Sequence, residues 1–317
     1  VSGPRVVAIG GGHGLATTLR ALRRYAGTIT AVVSVADDGG SSGRLRELLG
    51  IPAPGDLRKC LGALLPASSP LGRALEHRFE AGELAGHAFG NLLLAALAAT
   101  TGDFVAGVEE AARLLGAVGR VYPATCTPVV LRATAEDGEV EGQVRVMAAR
   151  RIRRLALVPA DAPSPAPVLE ALRAADQVVI GPGSLYTSVL AALLPEQLRR
   201  ALEESSAQKV YVANLREQVA ETEGYDVAAH LEALLAHGVR PDVVLADPAP
   251  ALGVLPRGTP VVLAPVSGPG AGAHDPVRLG DALDLLVQCA PPRTAAGGGP
   301  VPARASAAVS KPADLRD

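Results

Sequence analysis

Tryptophan is absent from this chain of 317 residues, and phenylalanine and tyrosine number only three and five. Few rings are available to stack on a broad flat ligand. Cysteine is as scarce: Cys60, Cys126 and Cys289 lie far apart, form no C-x-x-C and leave one unpaired, which excludes a disulfide framework and a zinc site. Neither sign of charge prevails. With 30 basic residues against 32 acidic ones and a formal charge of −2, a broad sequence-independent grip on nucleic acid is excluded. The arginines Arg150, Arg151, Arg153 and Arg154 read as a solvated face. The longest apolar run, residues 92–99, is far too short to cross a bilayer, so no membrane insertion is expected. The chain opens on a strand-like run without a basic n-region, which predicts no signal peptide and a soluble, reduced, cytoplasmic protein. G-x-S-x-G, H-E-x-x-H and a Walker A lysine are all missing, leaving hydrolase, zinc-enzyme and P-loop readings without support.

What is present is a core. Apolar residues make up 48% and charged residues 20%, which rules out wholesale disorder. Residues 5–10 form a short apolar run ending in glycines, a buried strand. Residues 15–25 place Leu15, Leu19 and Leu22 on one side and arginines on the other, a one-sided helix, and 28–36 is again apolar and β-branched. Strand, helix, strand is a βαβ unit. The same grammar returns in strands at 177–180, 209–213, 242–246 and 261–264, with helical patterns near 167–175, 187–204, 227–236 and 281–289. Such alternation predicts an α/β protein with a doubly wound, mostly parallel sheet. Residues 91–100 read as a helix buried nearly all round, and 121–158 as a small antiparallel insertion with a turn at Asp137-Gly138. One domain is expected over 5–290, followed by a disordered Pro/Ala/Gly-rich tail over 291–317.

Four loops could carry chemistry. Gly10-Gly11-Gly12-His13-Gly14 follows a strand and opens a helix, so the backbone can approach a ligand and the first-turn N–H groups can point at it. A βα turn without a ligand would use the same glycines. The dinucleotide fingerprint fails on spacing, because the third glycine would fall on Leu15 or Thr17, and this argues against an NAD-dependent oxidoreductase. The second loop places Asp37 and Asp38 at a strand end before Gly39, Gly40, Ser41 and Ser42, a set suited to Mg²⁺ or a ribose hydroxyl, or else a solvated turn. In the third, Asn91 is either an N-cap or, with His87, a hydrogen-bonding partner for a ligand. The fourth, Gly181-Pro182-Gly183-Ser184 through Thr187, offers hydroxyls and amides to phosphate or simply caps a helix. Loops after parallel strands gather on one sheet edge, where open α/β folds bind ligands. Together they point to a nucleotide or another phosphorylated guest.

The segments VVAIGGGHGLATTLRAL, TAVVSVADDGGSSGRLRELL, PAPGDLRKCL, HRF, GHAFGNLLLA and VVIGPGSLYTSVL together resemble the gluconeogenesis factor (YvcK-like) family, which is related to the 2-phospho-L-lactate transferases of deazaflavin cofactor synthesis. The likeness runs from about Arg5 to Cys289. It implies a Rossmann-like three-layer α/β fold and a UDP-sugar-binding protein needed for growth and cell shape on gluconeogenic carbon sources, regulatory rather than catalytic. By the same resemblance Gly11, Gly12, Gly14, Asp37, Asn91, Gly183, Ser184 and Thr187 line the ligand site. Asn214 opens a further matching segment that keeps Gln218, Glu221, Thr222, Gly224 and Tyr225. The chain departs from the family pattern at Ala220, where a glycine is usual, at Glu217, and at Ala273 before His274-Asp275-Pro276. A family tyrosine has no counterpart around residues 252–255. The alternative is a Mg²⁺-dependent transferase of phosphorus-containing groups, with Asp37 holding the metal and acting as the catalytic group. No cofactor beyond Mg²⁺ is called for, and a homo-oligomer is expected.

Overall fold

The computed structural model describes residues 3–270 and 272–290; the 291–317 stretch read above as a tail lies outside the described residues. From β1 (Arg5–Gly10) the chain runs through α1 (Gly12–Leu22), β2 (Thr28–Val33), α2 (Gly40–Leu49), α3 (Gly55–Leu64), α4 (Pro70–Glu76), α5 (Phe89–Thr101) and α6 (Phe104–Leu115) to β3 (Arg120–Pro123). An antiparallel part follows, made of β4 (Val130–Ala135), β5 (Gly138–Glu141), α7 (Gln143–Met147) and β6 (Arg154–Val158). The second half comprises α8 (Ala166–Ala174), β7 (Gln177–Ile180), a π-helix Leu185–Leu190 continued by α9 (Ala191–Leu193), α10 (Glu196–Glu204) and β8 (Gln208–Val212). It ends with α11 (Val227–Ala236), β9 (Val243–Ala246), β10 (Val261–Leu263) and α12 (Pro276–Gln288).

The main sheet has seven strands in the order β10-β9-β8-β7-β1-β2-β3, every pair parallel. This is the α/β architecture that the alternating pattern predicts. Past Arg5, every residue of β1 is buried, as is all of β7 and β9, which requires cover on both faces of the sheet. Helix α1 buries Leu15, Leu19 and Leu22, as its apolar spacing predicts, and packs against α3 and α12; α8 packs against α10. Strand β1 joins the two halves. Its residue Ile9 lies opposite Val32 of β2 on one side and Ile180 of β7 on the other. Growth of the sheet reverses direction here, so the crevice outside the carboxyl ends of β1 and β7 is the topological switch point.

Strand β4 pairs antiparallel with both β5 and β6 in a separate three-stranded sheet. Ala135 faces Gly138 across the turn Glu136–Asp137, one residue earlier than the sequence reading places it. Residues 120–123 differ more. They lie along β2 at the edge of the main sheet, so the antiparallel sheet starts at Val130 rather than 121. Val121 and Tyr122 are fully buried there, which their apolar character permits in either sheet.

Candidate functional site

At the switch point the turns after β1 and β7 are in close contact. A Cβ on Gly14 would overlap the Pro182 carbonyl, and one on Gly183 would sit 3.6 Å from the Gly11 carbonyl. Gly12 and Gly183 have φ of +61° and +146°, backbone that L side chains rarely adopt. Beside this contact opens a cleft of about 350 Å³ whose walls include His13, Gly14, Gly183, Asn214, Arg216 and His274. Helix α1 begins here behind Gly11, which has no side chain to cap the first-turn amides. Asn214, from the loop after β8, clamps the turn after β7: its Oδ1 accepts from the Gly183 amide at 3.0 Å and its Nδ2 donates to the Gly183 carbonyl at 2.9 Å. His274 donates from Nε2 to the Ala213 carbonyl at 3.2 Å. Burial pushes its imidazole down to about 4, so it is neutral at pH 7.

On the other side of Gly11 lies an acidic pocket. A Cβ on Gly11 would come within 2.6 Å of Asp56 Oδ2, and one on Gly55 would come 3.3 Å from Asp37 Oδ2. Burial raises the Asp37 carboxyl above its ordinary value. Hydrogen bonds from the Gly39 amide and the Ser42 hydroxyl oppose that rise, as does the charge of Lys59, while the Asp56 carboxylate adds to it. Lys59 Nζ donates to Asp56 Oδ1 at 3.0 Å. Two facing carboxylates and a serine hydroxyl are hard oxygen donors, and their repulsion is what a cation relieves. Among the described residues no group of three or more His, Cys, Asp or Glu gathers to make an all-protein cage. Two carboxylates and a hydroxyl are nonetheless the oxygen type of donor that Mg²⁺ takes beside water and phosphate oxygens. Asp56 and Lys59 escape the sequence reading because Pro54-Gly55-Asp56 looks like any helix start with an acidic first turn.

Several residues proposed from sequence are engaged elsewhere. Both oxygens of Asp38 accept amides at the start of α7, from Gln143 at 2.8 Å and Val144 at 3.0 Å, which ties the antiparallel part to the sheet edge. Asn91 is not an N-cap, since α5 starts at Phe89. Its amide is fully engaged inside the protein: Nδ2 donates to Ser41 Oγ and Oδ1 accepts from Arg58 Nε, both at 3.1 Å. Ser41 also meets His87 Nδ1 at 3.1 Å, and all four side chains are buried. Thr187 donates both its amide and its hydroxyl to Glu221, at 2.9 and 3.1 Å, and Ser184 Oγ accepts from Gln218 Nε2 at 3.0 Å. The structure thus brings Gly14, Gly183 and Asn214 to one cleft, with Gly11 and Gly12 in the turn that leads to it, and sets Asp37 and Ser42 beside Gly55 in the acidic cluster, while Asp38, Ser41, Asn91 and Thr187 hold the framework.

A family model described as 2-phospho-L-lactate transferase CofD matches residues 6–253, which takes in the acidic pair and every cleft wall named above except His274. A gluconeogenesis factor of Halalkalibacterium halodurans is 46% identical over 246 residues, spanning 76% of this chain and 76% of that one. The crystal structure of a UPF0052 family member from Bacillus halodurans superposes with a TM-score of 0.84 at 38% identity, covering 89% of this chain and 99% of that one. A second crystal structure of a protein from that organism gives 0.82 at 36% identity, covering 90% and 100%. Among the described residues no helix is long and apolar enough to cross a membrane. With that model matched over residues 6–253 and a relative 46% identical across three quarters of both chains, the chain belongs to the 2-phospho-L-lactate transferase CofD family, and gluconeogenesis factors are among its relatives.

Proposed function

We propose that this protein is a UDP-sugar-binding gluconeogenesis factor, cytoplasmic and homo-oligomeric, that supports growth and cell shape on gluconeogenic carbon sources by a regulatory rather than catalytic route. The observation that carries the reading is the pair of glycine turns after β1 and β7, which face one cleft at the switch point beside the uncapped start of α1. Backbone amides at such a terminus suit a diphosphate, and Asn214 keeps the opposing turn in register. The likeness to a gluconeogenesis factor along three quarters of the chain supports the physiological role. Thermal melting with UDP-GlcNAc and UDP-glucose is the test. Ligand at a hundred times its Kd stabilises by about 2.7 kcal/mol, so Tm should rise by several degrees; an unchanged Tm at millimolar ligand overturns the reading. Native mass spectrometry of protein purified without added ligand would weigh any retained nucleotide and give the subunit number.

The acidic pocket favours a second reading, a Mg²⁺-dependent transferase acting at phosphorus. Asp37 and Asp56 would hold the ion with help from Ser42, and it would supply positive charge at phosphate oxygens. The chain's own part is to orient the guest on the α1 amides and to keep Asp56 neutralised by Lys59 until the ion enters. Calorimetric titration with Mg²⁺ separates this reading from the first: no heat in the wild type, or equal heat in Asp37→Asn, removes the acidic pair from any metal chemistry.

A further inference from the structure

The loop after β8 sends three side chains to the turn after β7. Asn214 clamps Gly183, Gln218 reaches Ser184, and Glu221 goes deepest. Between the exposed Val219 and the buried Glu221 stands Ala220 with φ of +67°, and this left-handed residue turns the chain inward. Glu221 is 1% exposed. Its Oε1 accepts from the amides of Tyr186 at 2.6 Å and Thr187 at 2.9 Å, and its Oε2 from the Thr187 hydroxyl at 3.1 Å. Those two amides are the orphan donors at the start of the π-helix, which no turn of its own can satisfy. Two amides and a hydroxyl converging on one anion is the arrangement by which a helix start holds a bound carboxylate or phosphate. Here the anion belongs to the chain.

We propose that Glu221 is a positioning residue, a permanent counter-anion for the π-helix start that holds the Gly181–Ser184 turn in its ligand-ready shape while the cleft is empty. Burial raises its carboxyl above the ordinary value, and these three hydrogen bonds oppose that rise by favouring the ionised form. A helix start already neutralised in this way has no vacancy for a second anion. A guest's phosphate is left the amide turn before α1. That last consequence rests on the ligand reading above; the role of Glu221 does not.

The test uses the full chain and replaces the carboxylate from solution. Glu221→Ala should lower Tm by several degrees, and excess formate should return at least half of the loss, whereas formamide, of the same size but uncharged, should return none. Inorganic pyrophosphate affinity should fall in the variant and recover with formate. Should the wild type bind no pyrophosphate, the ligand reading fails and the formate result still decides the role of Glu221. If Glu221→Ala does not fold, Glu221→Gln keeps the shape and removes the charge. In it the Tyr186 and Thr187 amides should exchange hydrogen roughly tenfold faster than in the wild type, with sheet amides unchanged. Equal rescue by formamide, no rescue by either compound, or wild-type exchange in Glu221→Gln overturns the proposal.

Discussion

Asp37 sits where burial and a neighbouring carboxylate both disfavour its ionised form. Its folded pKa is raised first by burial and then by Asp56. A raised carboxyl contributes stability that is fully present below the unfolded value, near 3.9, and that is lost as pH rises through the folded value. Asp37→Asn should therefore raise Tm at pH 7 by roughly 2–4 °C per 1 kcal/mol relieved, flatten the pH dependence above pH 4 and remove stabilisation by Mg²⁺. Melting curves across pH, with and without Mg²⁺, check all three. Ala220 carries the reverse liability, a strained backbone without chemistry of its own. Its φ of +67° suits the glycine that the family pattern places there. Ala220→Gly should stabilise by about 0.5–1 kcal/mol in urea titration, and should leave the Glu221 contacts intact. The chemistry of single residues was only half legible in the sequence. Asp37 and Asp38 are neighbours of one type in one loop, and nothing local says that one faces Asp56 while the other caps α7. Thr187 likewise reads as a phosphate donor until Glu221, 34 residues on, is seen beneath it.

Elements were more legible where burial was two-sided. The strands β1, β2, β7 and β9 announce themselves as short apolar runs, because a parallel sheet covered on both faces demands them; β10 reads the same way although it lies half exposed at the sheet's edge. Helix α2 does not. It opens Gly-Ser-Ser-Gly, a poor helix former, inside what the sequence offers as a loop, and it is held by Ser41, Ser42 and Gly43 packed in the interior. The final helix was placed from 281, yet it starts at Pro276 behind an Asp275 cap that accepts from Val277 and Arg278 at 2.8 and 3.0 Å. That Asp-Pro signal was readable from capping rules. The attachment of the antiparallel sheet was not, since it depends on Asp38 meeting α7 across more than a hundred residues. Asp38→Ala should lower stability by about 1–3 kcal/mol, the cost of leaving two amides without their charged acceptor. Hydrogen exchange should then accelerate over 130–158 while β1 and β7 keep their protection.

At the scale of the molecule, the two halves of the sheet approach closely at the turns after β1 and β7. Gly14 and Pro182 meet so tightly that any Cβ at position 14 must push the turns apart. Gly14→Ala should cost about 1–3 kcal/mol through overpacking and should weaken UDP-sugar binding more than it lowers Tm. Equal UDP-sugar Kd values in the variant and wild type would show that the cleft tolerates separation of its walls. The same meeting of halves has a consequence for synthesis. Strand β1 precedes β7 in the chain, so during synthesis it gains β2 early and then waits for Gln177–Ile180 to occupy its other side. Until the chain has been made through Ile180, the future centre of the sheet is an exposed edge of Val, Ala and Ile, a surface that invites pairing with other nascent chains. Shielding by a chaperone would matter most during that interval, before the protein has any pocket to fill.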